Sequence, residues 1–133
     1  MIKASMNQLA NVTNPYQGKA KKVLCVCSAG LLRSPTIAEV LTRKFGYNTR
    51  AVGTAEEYAL IPISEALLNW ADEIFVTSDQ AEVVEDMVEE LGLYKTVIVL
   101  GIPDKYVRNN YMLIRLIEKQ LDDMIKVYGY EVG

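Results

Sequence analysis

The hydrophobic residues of this chain alternate between short, mostly uncharged runs and longer stretches in which apolar residues recur every three or four positions. The short runs predict four β strands, over residues 23–27, 48–52, 73–77 and 96–102. The longer stretches predict helices, because apolar residues at that spacing form one buried helix face. The predicted buried faces consist of Ile37, Ala38, Leu41 and Phe45; Ile63, Ala66, Leu67 and Trp70; Val84, Met87, Val88 and Leu91; and Leu113, Ile117, Leu121 and Met124.

This order of strands and helices is typical of one class of fold. A repeated β-α pattern predicts a parallel sheet that is covered by helices on both faces. In such sheets ligands bind at the carboxyl ends of the strands, near the point where the strand order reverses. Cys27 ends the first predicted strand and Asp104 follows the fourth, so both are expected at this one edge.

The loop after the first strand carries the most informative chemistry. Cys27 lies six residues before Arg33. A thiolate is a good nucleophile toward phosphorus, and a guanidinium fits two oxygens of a phosphate. Ser28, Ala29 and Gly30 are small enough for the backbone to wrap closely around a ligand, and Gly30 can take a positive φ at no steric cost.

A helix is expected to begin directly after this loop, with Ser34 as its cap and Pro35 in its first position. A strand, a loop and a helix N-terminus in that order form an anion site from free backbone N–H groups. Such a site also favours the thiolate, so Cys27 is expected to be largely ionised at neutral pH. The alternative is that Cys27 is an inert buried cysteine at a strand end.

Composition is consistent with one compact enzyme domain. The chain has 133 residues, of which 50% are hydrophobic, and this is enough to bury a core. No apolar stretch approaches the roughly 20 residues that span a bilayer, and no signal-peptide pattern is found. Its two cysteines, Cys25 and Cys27, lie on one strand and do not resemble a disulfide framework, so a reducing cytoplasm is the expected compartment.

The absence of histidine excludes two further classes of site. With no histidine, the chain cannot form a His-dependent triad or a His-ligated metal site. Two cysteines are also too few for an all-thiolate zinc site with four ligands. No metal and no cofactor is therefore expected.

Charge is unevenly distributed along the chain. Residues 1–22 contain four of the 14 basic residues and no acid, which leaves ten basic and all 17 acidic residues in the remainder. We expect residues 1–20 to form a flexible, solubilising N-terminal arm, and residues 21–133 to form a single domain. Contact of the arm with nucleic acid is the less favoured alternative.

Four segments resemble the low-molecular-weight protein tyrosine phosphatases, most closely a short bacterial branch of that family. Cys27-x5-Arg33-Ser34-Pro35 resembles the active-site loop. The other segments follow in the family's order, at residues 49–53, 70–76 and 97–106. Four ordered matches are harder to obtain by chance than one. The resemblance implies a three-layer α/β sandwich with a four-stranded parallel sheet in the flavodoxin-like order 2-1-3-4.

The resemblance also implies roles for individual residues. Cys27 would attack phosphorus, Arg33 would hold two phosphate oxygens, and Asp104 would protonate the leaving oxygen. Ser34 would donate a hydrogen bond to the thiolate. Tyr106 would flank the substrate ring. The phosphate-binding loop would consist of Ser28, Ala29, Gly30, Leu31, Leu32, Arg33 and Ser34.

Some candidates are weaker. Tyr58 lies in a loop that borders the cleft in the family, although an exposed tyrosine is also ordinary on a surface. Asp72 and Asp79 are the alternatives to Asp104 as the acid. Asp72 is expected to open the third strand. Asp79, with a glutamate three residues later, resembles a helix cap.

The chain departs from the family's pattern at three places. Gly30 stands where relatives usually have Asn, and Gly can supply the left-handed backbone but not the side-chain hydrogen bonds. Leu32 replaces a second cysteine, so the family's reversible disulfide cannot form by that route. Segment 103–106 reads Pro-Asp-Lys-Tyr, whereas relatives have Asp-Pro-Tyr.

The expected activity is hydrolysis of phosphotyrosine in proteins, or of small aryl phosphates, through a phosphocysteine, with inorganic phosphate as product and no membrane partner. One alternative is a phosphocysteine phosphocarrier similar to the sugar-phosphotransferase IIB proteins, which generally lack a counterpart of Arg33. Another is a catalytically weak module that binds phosphate or phosphotyrosine. Arsenate reduction is less expected, because the related thiol enzymes use additional cysteines.

Overall fold

The structure is a computed structural model that describes residues 20–30, 32–55, 59 and 61–133. Its elements are β1 (Lys22–Cys27), α1 (Arg33–Phe45), β2 (Asn48–Gly53), α2 (Glu65–Trp70), β3 (Glu73–Thr77), a 3₁₀ turn (Ser78–Gln80), α3 (Ala81–Glu90), β4 (Thr96–Leu100) and α4 (Tyr111–Tyr128). Residues 1–19, which make up nearly all of the predicted arm, lie outside the described residues, as do Leu31 and Tyr58.

The four strands form one parallel sheet in the order β2-β1-β3-β4, which confirms the predicted fold class and strand order. β1 lies in the centre, and five of its six residues are buried. Since all strands run in the same direction, their carboxyl ends lie along a single edge. Cys27 pairs with Gly53 at the end of β2, so the first two strands end at the same level.

Two apolar layers cover the sheet, because neighbouring residues of a strand point to opposite faces. On one face α1 and α4 pack against the side of β1 that carries Cys25. On the other face α2 and α3 pack against the side that carries Leu24 and Val26. Fully burying a side chain such as Leu41 or Ile117 stabilises the fold by about 1.5–3 kcal/mol relative to exposure.

β4 ends two residues earlier than the sequence predicts. The backbone N–H of Gly101 donates to Gln120 Oε1 at 2.8 Å, and Gln120 Nε2 donates to the carbonyl of Gly101 at 2.9 Å. A side chain of α4 thus satisfies the backbone groups that a longer strand would present to a neighbour. The loop that follows, over residues 101–110, is thereby attached to α4.

A polar cluster closes the opposite end of the sheet. Tyr130 donates to Glu73 Oε1 at 2.6 Å and shares a 2.7 Å hydrogen bond with the Tyr47 hydroxyl, while Lys21 Nζ lies 3.3 Å from Glu73 Oε2. Burial, followed by the hydrogen bonds to Glu73 and Tyr47, raises the pKa of the Tyr130 phenol well above its usual range. The neutral phenol therefore fixes the end of the chain to the start of β3.

None of the helices in the described part of the chain is long and apolar enough to span a membrane.

Candidate active site

The thiol of Cys27 lies at the centre of a hydrogen-bonded loop at the end of β1. Only 2% of the residue is exposed. Its Sγ accepts the backbone N–H of Gly30 at 3.2 Å, and the thiol donates to Ser34 Oγ, also at 3.2 Å. The Ser34 hydroxyl in turn donates to the carbonyl of Val52 at 3.2 Å. The loop therefore curls back over the sulfur.

Gly30 permits this curl for two separate reasons. Its φ is +73°, the left-handed conformation that the sequence predicts for it. A Cβ at Gly30 would lie 2.8 Å from both the amide nitrogen of Gly53 and the carbonyl carbon of Val52. A Cβ at Gly53 would in turn lie 2.5 Å from the carbonyl carbon of Ala29. The loop and the end of β2 thus approach each other more closely than any side chain allows.

The helix after the loop begins earlier than predicted. α1 starts at Arg33, its N-cap is Leu32, and no side chain caps it. The prediction that Ser34 caps the helix is therefore wrong, because its hydroxyl is bonded to Cys27 and Val52 instead. Ser34 is fully buried, whereas Leu32 is 40% exposed.

Arg33 contacts three other residues through its guanidinium nitrogens and is only 1% exposed. Its Nη1 donates to Asp79 Oδ1 at 2.8 Å and to the carbonyl of Ile102 at 2.9 Å, while Nη2 donates to Asp79 Oδ2 at 3.0 Å. Nη2 also lies 3.5 Å from Ser28 Oγ. Burial disfavours the charge, but the hydrogen bonds and charge of Asp79, with the charges of Asp104 and Cys27, outweigh it and raise the pKa of Arg33.

Asp79 is the site residue whose role the sequence did not reveal. It lies in the 3₁₀ turn after β3, and α3 begins at Ala81 with no side-chain cap, so the predicted helix-capping role is wrong. The hydrogen bond from Arg33 holds the pKa of Asp79 far below its usual range, against the effect of partial burial. The sequence does contain one indication of this position, because Asp79 follows a buried strand whose carboxyl end lies beside that of β1.

Asp104 lies at the same edge of the sheet. Its Oδ1 is 3.6 Å from Arg33 Nε, and its side chain is 62% exposed. Arg33 therefore lies within reach of the charges of both Asp104 and Cys27. Asp72 lies at the other end of β3, where its Oδ2 accepts the backbone N–H of Lys22 at 2.9 Å.

The loop that carries Asp104 is attached to α1 as well as to α4. Asn109, with φ of +58°, donates its backbone N–H to Thr36 Oγ1 at 3.0 Å. Arg108 Nη2 lies 3.1 Å from Glu39 Oε1. These contacts hold the second end of the loop, as the Gly101–Gln120 hydrogen bonds hold the first, and Asp104 lies between them with an exposed side chain.

Tyr106 lies on the same loop, two residues after Asp104. Its ring is partly buried against the core between α1 and α4, and Lys105 Nζ lies 5.4 Å from the ring centroid. It lines a cavity of about 680 Å³ together with Met112 and Lys44. No hydrogen bond or ring contact found among the described residues connects Tyr106 to Cys27 or Arg33.

Cys25 lies two residues before Cys27 on the same face of β1. Burial, and to a lesser extent the charge of Cys27, raise the pKa of the Cys25 thiol well above its usual range. Cys25 is therefore neutral and unreactive. Within the described ranges no group of three or more His, Cys, Asp or Glu side chains could hold a metal ion.

Comparisons with known proteins address the fold. No protein-family model matches the chain, and no curated protein matches it. Wzb of Vibrio vulnificus, a low-molecular-weight tyrosine phosphatase solved in complex with benzylphosphonate, is similar in structure with a TM-score of 0.60 and 21% identity, over 80% of this chain and 98% of that one.

A thioredoxin-dependent arsenate reductase of Corynebacterium glutamicum has a TM-score of 0.54 and 15% identity, over 93% of this chain and 69% of that one. Both neighbours share the parallel sheet and its covering helices, so the predicted resemblance is confirmed at the level of the fold. This chain has the α/β fold that the tyrosine phosphatase Wzb shares with an arsenate reductase.

Proposed function

We propose that this protein is a cysteine-dependent phosphatase that hydrolyses phosphotyrosine or small aryl phosphates through a phosphocysteine. The observation that carries the proposal is the arrangement around Cys27. Its Sγ accepts a backbone N–H and is bonded to a buried serine hydroxyl, and the neighbouring Arg33 is buried at the same edge. A nucleophile, free N–H donors at a helix N-terminus and a guanidinium are the components that phosphoryl transfer requires.

In the first step the phosphoryl group occupies the loop, and the Cys27 thiolate attacks phosphorus. The sulfur–phosphorus bond forms as the bond to the aryl oxygen breaks, and Asp104 gives its proton to that oxygen. The Cys27 thiol gives up its proton to solvent before the attack, after which the Ser34 hydroxyl can turn from the Val52 carbonyl and donate to the sulfur. Such a hydrogen bond to an ionised group stabilises the thiolate.

In the second step water attacks the phosphocysteine. The Asp104 carboxylate accepts a proton from that water, the sulfur–phosphorus bond breaks, and inorganic phosphate and the Cys27 thiolate are formed. A general acid and base of this kind contributes about 10²–10⁴ in rate. The Asp104 side chain is 62% exposed, so water can reach its carboxylate for this second step.

Two points support a phosphatase over an arsenate reductase of similar fold. The chain contains two cysteines, and Cys25 is buried and held neutral. It is therefore unsuited to resolve an oxidised Cys27, which a thiol relay requires. The Wzb structure contains benzylphosphonate, an analogue of an aryl phosphate without the cleavable ester oxygen. We expect the same compound to compete with substrate here.

We propose residues 21–133 as the catalytic domain and leave 1–20 as an arm without a catalytic role. The basal test is turnover of p-nitrophenyl phosphate by the full chain, with mass detection of phosphocysteine. Cys27→Ala is expected to abolish turnover. Cys25→Ala, which shortens the other cysteine of the same strand, serves as its matched control and is expected to remain active. Turnover retained by Cys27→Ala would contradict the proposal.

Asp104→Asn tests the acid separately. Turnover should fall most for phosphate esters with poor leaving groups, because a good leaving group departs without a proton. Equal turnover with all leaving groups would remove Asp104 from the mechanism.

Phosphate binding without efficient turnover is the second candidate function. One observation favours it: Asp104 is 62% exposed, and its Oδ1 is 3.6 Å from Arg33 Nε, beyond hydrogen-bonding distance. An acid that is so loosely held protonates a leaving group less effectively. Tight binding of inorganic phosphate with negligible turnover would establish this function. A phosphocarrier would instead retain its phosphocysteine in water.

A further inference from the structure

A single buried hydroxyl joins the two loops that carry the proposed chemistry. Thr36 lies in the first turn of α1 and is fully buried. Its Oγ1 donates to the carbonyl of Leu32 at 2.9 Å and accepts the backbone N–H of Asn109 at 3.0 Å. Leu32 belongs to the phosphate loop, residues 28–34, and Asn109 to the acid loop, residues 101–110. The hydroxyl therefore donates to one loop and accepts from the other.

Only one of these two hydrogen bonds follows from helix geometry. Threonine in a helix often bonds to the carbonyl four residues before it, and the contact of Thr36 with Leu32 is of this kind. Asn109 lies 73 residues away along the chain, so its bond to Thr36 is a tertiary contact. The helix does not require this second bond, whereas the attachment of the acid loop does.

The backbone of Asn109 has an unusual conformation at this contact. Its φ is +58°, and no other non-glycine residue in the described ranges has a positive φ. Side chains disfavour this conformation, although asparagine tolerates it better than most residues. The next residue, Asn110, caps α4 by accepting the N–H groups of Met112 and Leu113. Thr36 thus fixes the acid loop to α1 at the point where the chain enters α4.

The position of the proposed acid depends on such attachments. Asp104 Oδ1 is 3.6 Å from Arg33 Nε, beyond hydrogen-bonding distance, so the side chain is placed by its loop. The carbonyl of Ile102 accepts a hydrogen bond from Arg33 Nη1, which holds the first end of the acid loop to the phosphate loop. Thr36 does the same at the second end.

A neighbouring ion pair is a weaker attachment of that second end. Arg108 Nη2 lies 3.1 Å from Glu39 Oε1, but the two side chains are 55% and 34% exposed. Exposed ion pairs contribute little because solvent screens them. The Thr36 hydroxyl is fully buried, and a buried N–H that loses its partner is costly. The contact of Thr36 is therefore the stronger of the two.

We propose that Thr36 is a positioning residue that holds the acid loop against the phosphate loop, so that Asp104 lies within reach of the leaving oxygen of the substrate. The inference rests on the proposed function and extends it by assigning how the acid is placed. A general acid must lie about 2.6–3.2 Å from the atom that it protonates, and a misplacement of about 1 Å costs about 100-fold in rate.

The experiment compares Thr36→Val with Thr42→Val in the full chain. Both substitutions replace a hydroxyl of α1 by a methyl group of similar size, but the Thr42 hydroxyl bonds to Thr49 and to the carbonyl of Tyr47, at the other end of the helix. The value of kcat/KM, which reports on the first chemical step, is measured with phenyl phosphate and with p-nitrophenyl phosphate. The affinity for inorganic phosphate is measured by its protection of Cys27 against iodoacetamide.

Thr36→Val is expected to lower kcat/KM about 10–100-fold for phenyl phosphate, whose leaving group needs a proton, and no more than about threefold for p-nitrophenyl phosphate. Phosphate affinity should stay within about twofold of wild type, because the N–H donors of the phosphate loop remain. Thr36→Ser, which keeps the hydroxyl, should stay within about threefold of wild type with both esters. Thr42→Val should leave all three quantities unchanged. In an Asp104→Asn background, Thr36→Val should cause no further loss of kcat/KM.

An equal fall of kcat/KM for the two esters in Thr36→Val would overturn the inference, and so would unchanged kinetics or a full additional loss in the Asp104→Asn background. If Thr36→Val does not fold, hydrogen exchange of the wild type decides. Inorganic phosphate should slow exchange of the Asn109 amide, because Thr36 makes the two loops move together, and an unaltered exchange rate would refute this link. Slowed exchange without any wild-type turnover would contradict the phosphatase function alone, whereas no phosphate protection of wild-type Cys27 would contradict both.

Discussion

Replacing Gly30 by alanine should destabilise the fold and disable the phosphate loop. The new Cβ would lie 2.8 Å from two backbone atoms of the β2 end, although carbon atoms in proteins approach to about 3.5–4.0 Å. Alanine at φ of +73° also carries the strain of a left-handed backbone, about 1–2 kcal/mol. Relieving the overlap by backbone shifts adds about 1–3 kcal/mol.

Gly46→Ala is the matched control, because it separates the two contributions. Gly46 ends α1 with φ of +74°, and no atom lies within 4 Å of the position where its Cβ would be built. This variant should therefore lose only about 1–2 kcal/mol of the free energy of unfolding. Gly30→Ala should lose about 2–5 kcal/mol, a large share of the 5–15 kcal/mol by which domains are usually stable.

Urea unfolding at neutral pH measures both free energies, and p-nitrophenyl phosphate turnover measures the loop. Gly30→Ala should lose most of its turnover even when folded, because its N–H no longer points at Cys27 Sγ, whereas Gly46→Ala should stay near wild type. If the two variants unfold with the same free energy, within about 0.5 kcal/mol, the close approach of the loop to β2 does not exist in solution.

Three further predictions concern the shifted pKa values of Cys25 and Asp79 and the hydrogen bond of Tyr130. Iodoacetamide should label Cys27 and not Cys25, whose pKa is raised by burial; labelling of both in the folded protein would contradict this. Tyr130→Phe should reduce the free energy of unfolding in urea by about 1–2 kcal/mol, since Glu73 loses a 2.6 Å hydrogen bond; an unchanged stability would refute that role. The pKa of Asp79 is lowered on folding, so its stabilisation is complete above the unfolded value of about 3.9 and is lost as the pH falls toward the folded value. In Asp79→Asn, the free energy of unfolding should therefore fall less steeply as the pH is lowered below neutrality. The difference from wild type should be about 1 kcal/mol, because the carboxylate is 43% exposed and solvent weakens the ion pair. The same loss of stability in acid for both proteins would contradict the ion pair.

Much of the site follows from local pattern. The run of apolar residues before Cys27 predicts a central strand, and the small residues after it predict a tight loop with a left-handed Gly30. The sequence also predicts Asp104 at this edge, because it follows another strand of the same sheet. These inferences succeed because a parallel sheet brings every strand's carboxyl end to one edge.

Local pattern was misleading where a side chain had a distant partner. Ser34 and Asp79 are residue types that cap helices, and both stand before predicted helices. Each instead uses its oxygen across the sheet edge, Ser34 on Cys27 and the β2 end, and Asp79 on Arg33. A nearby helix N-terminus offers a neutral N–H, whereas Arg33 offers two charged donors, and the stronger partner lies 46 residues away.

Hydrophobic period and residue size act over a few neighbouring positions, and for this reason the amino-acid sequence predicts the order of elements, the parallel sheet and the nucleophile's loop. Only the folded structure shows that Asp79 binds Arg33 and that Gly30 accepts no side chain. Both depend on atoms of β2 and of the turn after β3 that meet the loop only once the strands are aligned. Contact across strands depends on register and distance, and neither is encoded in any one segment of the chain.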